Sequence, residues 1–149
     1  MTTNKIEQID QESLSSLGDF TLPQILSRQA EKFKDEKIAI REKSYGIWHA
    51  YTWRDYLRYT KYVALGLLSL GLKRGDNVGM IVDNDPEWLF AQLGAQSVGA
   101  VTLTLFTSAV AKELAGGLSR IQAAYVFAQD QEQVDKLLAC REELQYTRH

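Results

Sequence analysis

The sequence is poor in the side chains that bind metals, cross-link chains or enter membranes. Its 149 residues include one cysteine, Cys140, and two histidines, His49 and His149. A single thiol excludes an internal disulfide and points to a reducing cytoplasm. Two histidines so far apart leave no zinc-ligand spacing. Lys and Arg number 17 against 19 Asp and Glu, a net charge of -2, and no basic run occurs. Nucleic acid is thereby excluded as the main partner, because phosphate binding needs clustered cations. No apolar run approaches the roughly 18 residues of a transmembrane segment. The opening "MTTNKIEQIDQESLSS" has no apolar stretch of the signal-peptide kind. Gly66, Gly71 and Gly75 fit neither G-x-G-x-x-G nor G-x-x-x-x-G-K-[ST], so both nucleotide fingerprints are missing.

What is present is ordinary globular material, 45% hydrophobic and 24% charged. A chain of this length buries roughly 70% of its unfolded surface, enough for one domain. Residues 1–20 are polar and aperiodic and are expected to form a flexible tail. Order is expected from residue 21 to 149. Thr21 with Gln24 has capping-box spacing, and Leu22, Ile25, Leu26 and Phe33 then fall near one helical face. "KIAIRE" and "GIWHAYT" predict two strands of a hairpin turning at "KSYG". Thr52 with Asp55 repeats the cap pattern. Trp53, Tyr56, Leu57, Thr60, Val63, Ala64 and Leu67 continue it as an amphipathic helix that ends at Gly71.

A regular alternation follows. "NVGMIV", "AVTLTLF" and "AAYVFA" predict strands, with helices over 86–98, 110–119 and 131–140. Apolar strands separated by helices imply a mostly parallel sheet covered on both faces, an α/β fold of βα units. Helix 86–98 is apolar nearly all round, through Trp88, Leu89, Phe90, Ala91, Leu93, Ala95 and Val98. Such a helix is normally buried on every side. The expectation is that this chain covers it incompletely, leaves strand edges open, and self-associates or binds a partner.

Ligands in such folds bind outside the carboxyl ends of strands, which singles out "DNDPEW" at 83–88. A phosphate cradle needs glycines and free N–H groups, but no glycine lies between Met80 and Gly94. Asp83, Asp85 and Glu87 repel phosphate unless a metal intervenes. The structural reading makes Asn84 or Asp85 the helix cap, Pro86 the first helical residue and Trp88 a buried anchor. A ligand or metal role for the three acids is the alternative. Thr107 and Ser108 end the next strand, where Ser108 is placed to cap a helix or the pair to bind a ligand. Thr102 and Thr104 alternate with apolar neighbours as strand residues do. "RGD" at 74–76 reads as a turn, Cys140 as a bystander thiol, and His49 as a strand residue without an acidic partner in sequence.

Three stretches carry a resemblance. They are the run from "YGIWHAYTW" through "LGLKRGDNVGMIVDNDPEW" to "GAQSVGAV", then "LFTSAVAKEL", and "AQDQEQVDKLL". They resemble the N-terminal part of AMP-forming long-chain fatty-acid–CoA ligases, in the adenylate-forming superfamily, over about Thr21 to Leu138. The resemblance implies a partial AMP-binding domain and, for the family, dependence on ATP, magnesium and coenzyme A. Members form an acyl-adenylate, release pyrophosphate and pass the acyl group to the coenzyme A thiol. The Ser/Thr/Gly-rich phosphate loop, the ribose and magnesium carboxylates and the C-terminal lysine lie downstream of the matched segment. No catalytic, cofactor-binding or metal residue carries over onto residues 1–149. "FTSA" at 106–109 departs from the family's Tyr-Gln-Asp-Ser turn, "GG" at 116–117 replaces bulky residues, and "LQYTRH" follows no family pattern. The resemblance therefore implies either an inert ligase fragment awaiting its remainder or a stand-alone interaction module.

Overall fold

The computed structural model describes residues 18–149, so residues 1–17 of the expected 1–20 tail lie outside the described residues. Phe20 sits beneath the Arg28 guanidinium, 4.3 Å from its carbon. Helix α1 spans Leu22–Phe33, with the Thr21 N–H donating to Gln24 Oε1 at 2.8 Å. Leu26 and Ala30 are its buried residues, whereas Leu22 is 58% exposed, contrary to expectation. It stands at the first helical position, a full turn ahead of Leu26, where the packing begins.

Strands β1 (Ile38–Ser44) and β2 (Ile47–Thr52) pair antiparallel. The turn is shorter than expected: Lys43 and Ser44 still pair, with Trp48 and Ile47. Tyr45 and Gly46 alone turn the chain, at φ 50° and 82°. Two positive φ values in a two-residue loop match the right-handed twist of the flanking strands. Helix α2 (Trp53–Ser69) begins with both halves of a capping box. The Thr52 N–H donates to Asp55 Oδ2 at 3.0 Å, and the Asp55 N–H donates to Thr52 Oγ1 at 3.1 Å. That backbone donation holds the Asp55 carboxyl below its ordinary range.

From α2 onward, helices stop and strands start by one device. After Leu70, Gly71 takes φ 88°, the Leu72 N–H bonds Leu67 O, and the Gly71 N–H bonds Leu68 O. This is the Schellman closure, and it puts the apolar pair Leu67 and Leu72 into the core. Helix α3 (Pro86–Ser97) ends likewise at Gly99, with Ala100 bonding back to Ala95. Helix α4 (Ala111–Arg120) ends at Gln122 in the left-handed region, with Ala123 bonding back to Leu118. Each closure redirects the chain into the next strand.

Those strands are β3 (Asn77–Ile81), β4 (Val101–Leu105) and β5 (Tyr125–Ala128), parallel and ordered β4-β3-β5. Helix α5 (Gln131–Ala139) and a short 3-10 turn, Arg141–Glu143, follow. Period-2 alternation divides the central strand between two cores. Val78 and Met80 meet α2 and α3 through Leu67, Ala91 and Ala95. Ile81 meets α4 through Leu114 and Leu118, with Leu137 of α5 alongside. The expected α/β sheet with helices on both faces is thus present.

The expectation for α3 is corrected. Ala91 and Ala95 face the sheet, while Phe90 and Leu93 pack with Leu26 of α1 and Tyr56 of α2. The helix, its α1–hairpin cover and the sheet form successive layers, so its all-round apolarity is satisfied within the chain. The β5 edge is also occupied: Arg148 donates its N–H to Ala124 O, and Val126 donates to His149 O. Exposed apolar surface lies elsewhere, at Val101, Phe106 and Val110 around β4 and at Tyr62, Leu65 and Leu68 on α2.

Close approach explains Gly94 but not Gly116. A Cβ on Gly94 would stand 2.7 Å from Val63 and 3.0 Å from the Thr60 carbonyl, so α3 meets the α2 backbone only because Gly94 has none. A Cβ on Gly116 would meet nothing within 4 Å. Gly94→Ala should therefore lower stability by about 1–3 kcal/mol through overpacking. Gly116→Ala should raise it by about 1 kcal/mol through helix propensity. Urea unfolding midpoints check both; a Gly94→Ala midpoint at or above the parent's would refute the close α2–α3 crossing.

Candidate functional site

The sheet order places a topological switch between β3 and β5. The chain leaves β3 for α3 on one face and leaves β5 for α5 on the other, which opens a crevice at their carboxyl ends. A cleft of about 380 Å³ lies there, lined by Val82, Asp83, Asp85, Glu87, Trp88, Ala91, Phe127, Ala128 and Gln129. "DNDPEW" is therefore where a ligand of such a fold would sit. Its chemistry is another matter.

Gln129 spans the crevice. Its Oε1 accepts the Asp83 N–H, its Nε2 donates to Asp85 Oδ2 at 3.4 Å, and its own N–H bonds Ile81 O at 3.0 Å. Thr107 donates its hydroxyl to Asp83 Oδ1 at 2.8 Å. The Lys136 ammonium, the nearby cation, donates to Thr107 O at 2.7 Å and pairs with Glu132 at 2.8 Å. Asp83 and Asp85 are thus engaged with protein, while Asn84 and Glu87 are exposed. Among the described residues, no three His, Cys, Asp or Glu side chains converge to hold a metal ion.

One cap assignment holds in position only, and one needs correction. Asp85 holds the N-cap position of α3, but its side chain makes no cap hydrogen bond, because its carboxylate turns to Gln129 instead. Val110, not Ser108, precedes α4 as its N-cap; the chain needs two further residues to turn from β4 onto the helix. Trp88 is half-buried rather than fully enclosed, packing on the sheet-side core with its indole N–H donating to Thr104 Oγ1 at 3.2 Å.

A second cleft, again of about 380 Å³, adjoins the first and shares Glu87, Ala91 and Phe127 with it. Tyr51, Tyr59, Tyr62, Val63 and Phe90 complete its lining. Tyr59 stacks on Phe90 with ring centroids 5.0 Å apart, and Tyr51 meets both edge-on. Burial, and then the Glu87 carboxylate, push the Tyr51 phenol above its ordinary range. Sequence reading missed this wall because its members come from β2, α2, α3 and β5. Gln129 had a usable signal, since it directly follows a predicted strand.

The remaining candidates lie apart from both clefts. Cys140 is buried, its Sγ donating to Lys136 O at 3.2 Å, and burial pushes its thiol up, away from a nucleophilic thiolate. His49 is exposed on β2, where the register sets Glu42 opposite it, an acidic neighbour that sequence distance concealed. "RGD" forms a turn in which the Gly75 N–H bonds Gly99 O at 2.9 Å. Thr102 accepts from Gln96 Nε2 at 3.3 Å.

The family profile described as AMP-binding enzyme matches residues 26–149. The chain belongs to the AMP-binding enzyme family. The match takes in the final "LQYTRH", which the quoted resemblance left out. The chain is similar to a Xenopus laevis long-chain-fatty-acid–CoA ligase, at 25% identity over 92% of the chain and 18% of the ligase. It is 30% identical to the Drosophila melanogaster long-chain-fatty-acid–CoA ligase heimdall, over 83% of the chain and 19% of that protein. A solved Rhodopseudomonas palustris structure assigned as a long-chain-fatty-acid–CoA ligase superposes with a TM-score of 0.75 at 28% identity. That superposition covers 88% of this chain and 32% of the other. The chain thus spans about a fifth of the two ligases and corresponds to part of an AMP-binding domain.

The two readings of "DNDPEW" separate by mutation. Trp88→Ala should cost about 2 kcal/mol, less than a fully buried tryptophan would. Asp85→Ala should cost well under the ~1 kcal/mol of a lost cap, since no cap bond exists to lose. Urea melts measure both, and an Asp85→Ala loss above that of Trp88→Ala would return the loop to the ligand-holding reading.

Proposed function

We propose that this chain is a scaffold segment from the N-terminal part of an ATP-dependent fatty-acid–CoA ligase and that it carries no catalytic side chain of its own. The observation supporting this is the anionic, glycine-free crevice at the switch point, bridged by Gln129. ATP phosphates do not fit it: Asp83, Asp85 and Glu87 repel them, and Lys136 is committed to Thr107 and Glu132. Magnesium does not fit either, since the three carboxylates do not converge. No step of adenylation or thioester formation is assigned to these residues. ATP, magnesium and coenzyme A belong to the complete ligase, whose acyl substrate is inferred from the names of its relatives. The single buried thiol supports a cytoplasmic setting.

A second reading, a stand-alone interaction module, is favoured by one observation. Helix α3 is covered on both sides and the β5 edge is lined by residues 148 and 149, so the fold closes much of its own surface. Among the described residues no helix is long and apolar enough to cross a membrane, which leaves both readings in place.

The purified chain should give carboxylate-dependent ATP–pyrophosphate exchange no greater than a no-protein control, with palmitate or shorter acids. Exchange above that control would overturn the scaffold proposal.

The readings part in solution. The β4 edge, with Phe106 84% exposed, and the α2 stripe through Tyr62 and Leu65 should drive self-association at micromolar concentration with dye binding. Sedimentation velocity with dye fluorescence measures this. A dye-silent, monodisperse monomer with a sharp thermal transition would select the module instead.

A further inference from the structure

We propose that the aromatic cleft beside the crevice binds a small organic cation, an ammonium or quaternary ammonium group on a short apolar body. The observations that carry this are the aromatic lining and its one charge. Tyr51, Tyr59, Tyr62, Phe90 and Phe127 form the wall, and Glu87 is the ionisable group of opposite kind among them. Among the described residues, no lysine, arginine or histidine lines the cleft. Its volume of about 380 Å³ lies in the range of small-molecule sites, roughly 300–1,000 Å³.

Charge selects the ligand class. A carboxylate, phosphate or nucleotide entering here would meet Glu87 at once, with Asp83 and Asp85 in the adjoining crevice. A neutral apolar molecule would gain contact with the rings but leave Glu87 without a counter-charge. A cation with an apolar surface gains from both, because ring faces attract positive charge and Glu87 neutralises it. The Tyr51 phenol, held protonated by burial and by Glu87, adds no second negative charge.

The same aromatic cluster already engages a cation on its outer side. The Arg58 guanidinium lies 5.2 Å from the Tyr59 ring centroid and is held there by Asp55 at 2.7 Å. Phe90 stacks on Tyr59 in turn, so the wall of the cleft is continuous with a ring that faces positive charge. Arg58 is not among the lining residues, which leaves the cleft itself without a resident cation. This inference does not depend on the ligase proposal, and exchange assays are silent on it.

The test uses two probes of one shape, choline and its neutral carbon isostere 3,3-dimethylbutan-1-ol, titrated into the 149-residue chain. Binding is read by chemical-shift changes in the aromatic and backbone resonances of the cleft. Choline should bind saturably, and the neutral isostere about tenfold more weakly, the scale of one good cation–ring contact with its counter-charge. Glu87→Gln should weaken choline to the level of the isostere and leave the isostere unchanged. Tyr62→Ala should weaken both. Glu87 and Tyr62 are exposed, and an unchanged thermal midpoint verifies that each variant folds. Absence of saturation at tens of millimolar choline, equal binding of the two probes, or indifference to Glu87→Gln would each overturn the proposal.

Discussion

The contact between α2 and α3 at Gly94 sets the spacing for everything around it. With no Cβ at that position, the α3 backbone comes within reach of Val63 and the Thr60 carbonyl. That depth lets Ala91 and Ala95 reach the sheet on one side while Phe90 and Leu93 reach α1 and the hairpin on the other. A helix farther out would leave one of the two cores short of partners. Gly79 makes a comparable allowance beneath the sheet, since a Cβ there would collide with Leu118 of α4. Thr60 is the awkward member of this junction, its hydroxyl buried without a hydrogen-bond partner among the described residues.

The position of the site and its chemistry part company here. Topology puts a crevice at the switch between β3 and β5, as in other parallel-sheet proteins. In this chain the crevice is bridged by hydrogen bonds among Asp83, Asp85, Thr107 and Gln129, with carboxylates facing solvent. Such a network ties together the loops after three strands. The family match over residues 26–149 goes with the fold, while the three carboxylates at this crevice disfavour phosphate there.

Local signals were legible wherever the chemistry is local. The capping box at Thr52 and Asp55 and the closure at Gly71 were readable because each needs only residues three to five apart. Gln122 escaped notice because a non-glycine can occupy a left-handed cap without a compositional signature. Residue type identifies Asp85 as the N-cap of α3 but not where its side chain turns, which Gln129 decides, and it offers Ser108 where Val110 stands before α4.

Resemblance to fatty-acid–CoA ligases pointed to the family; by itself the sequence determined the α/β class, the order of strands and helices, and the absence of a nucleotide fingerprint. These follow from hydrophobic period, turn chemistry and motif spacing, all short-range properties of the chain. Only the tertiary structure decided that β3 is central, that α3 is covered on both sides, and that Tyr51, Tyr59, Phe90 and Phe127 share one wall with Glu87. Those residues lie up to 76 positions apart, from 51 to 127. What brings them together is the burial of two faces of one helix at once, a constraint on packing in space that no local pattern records.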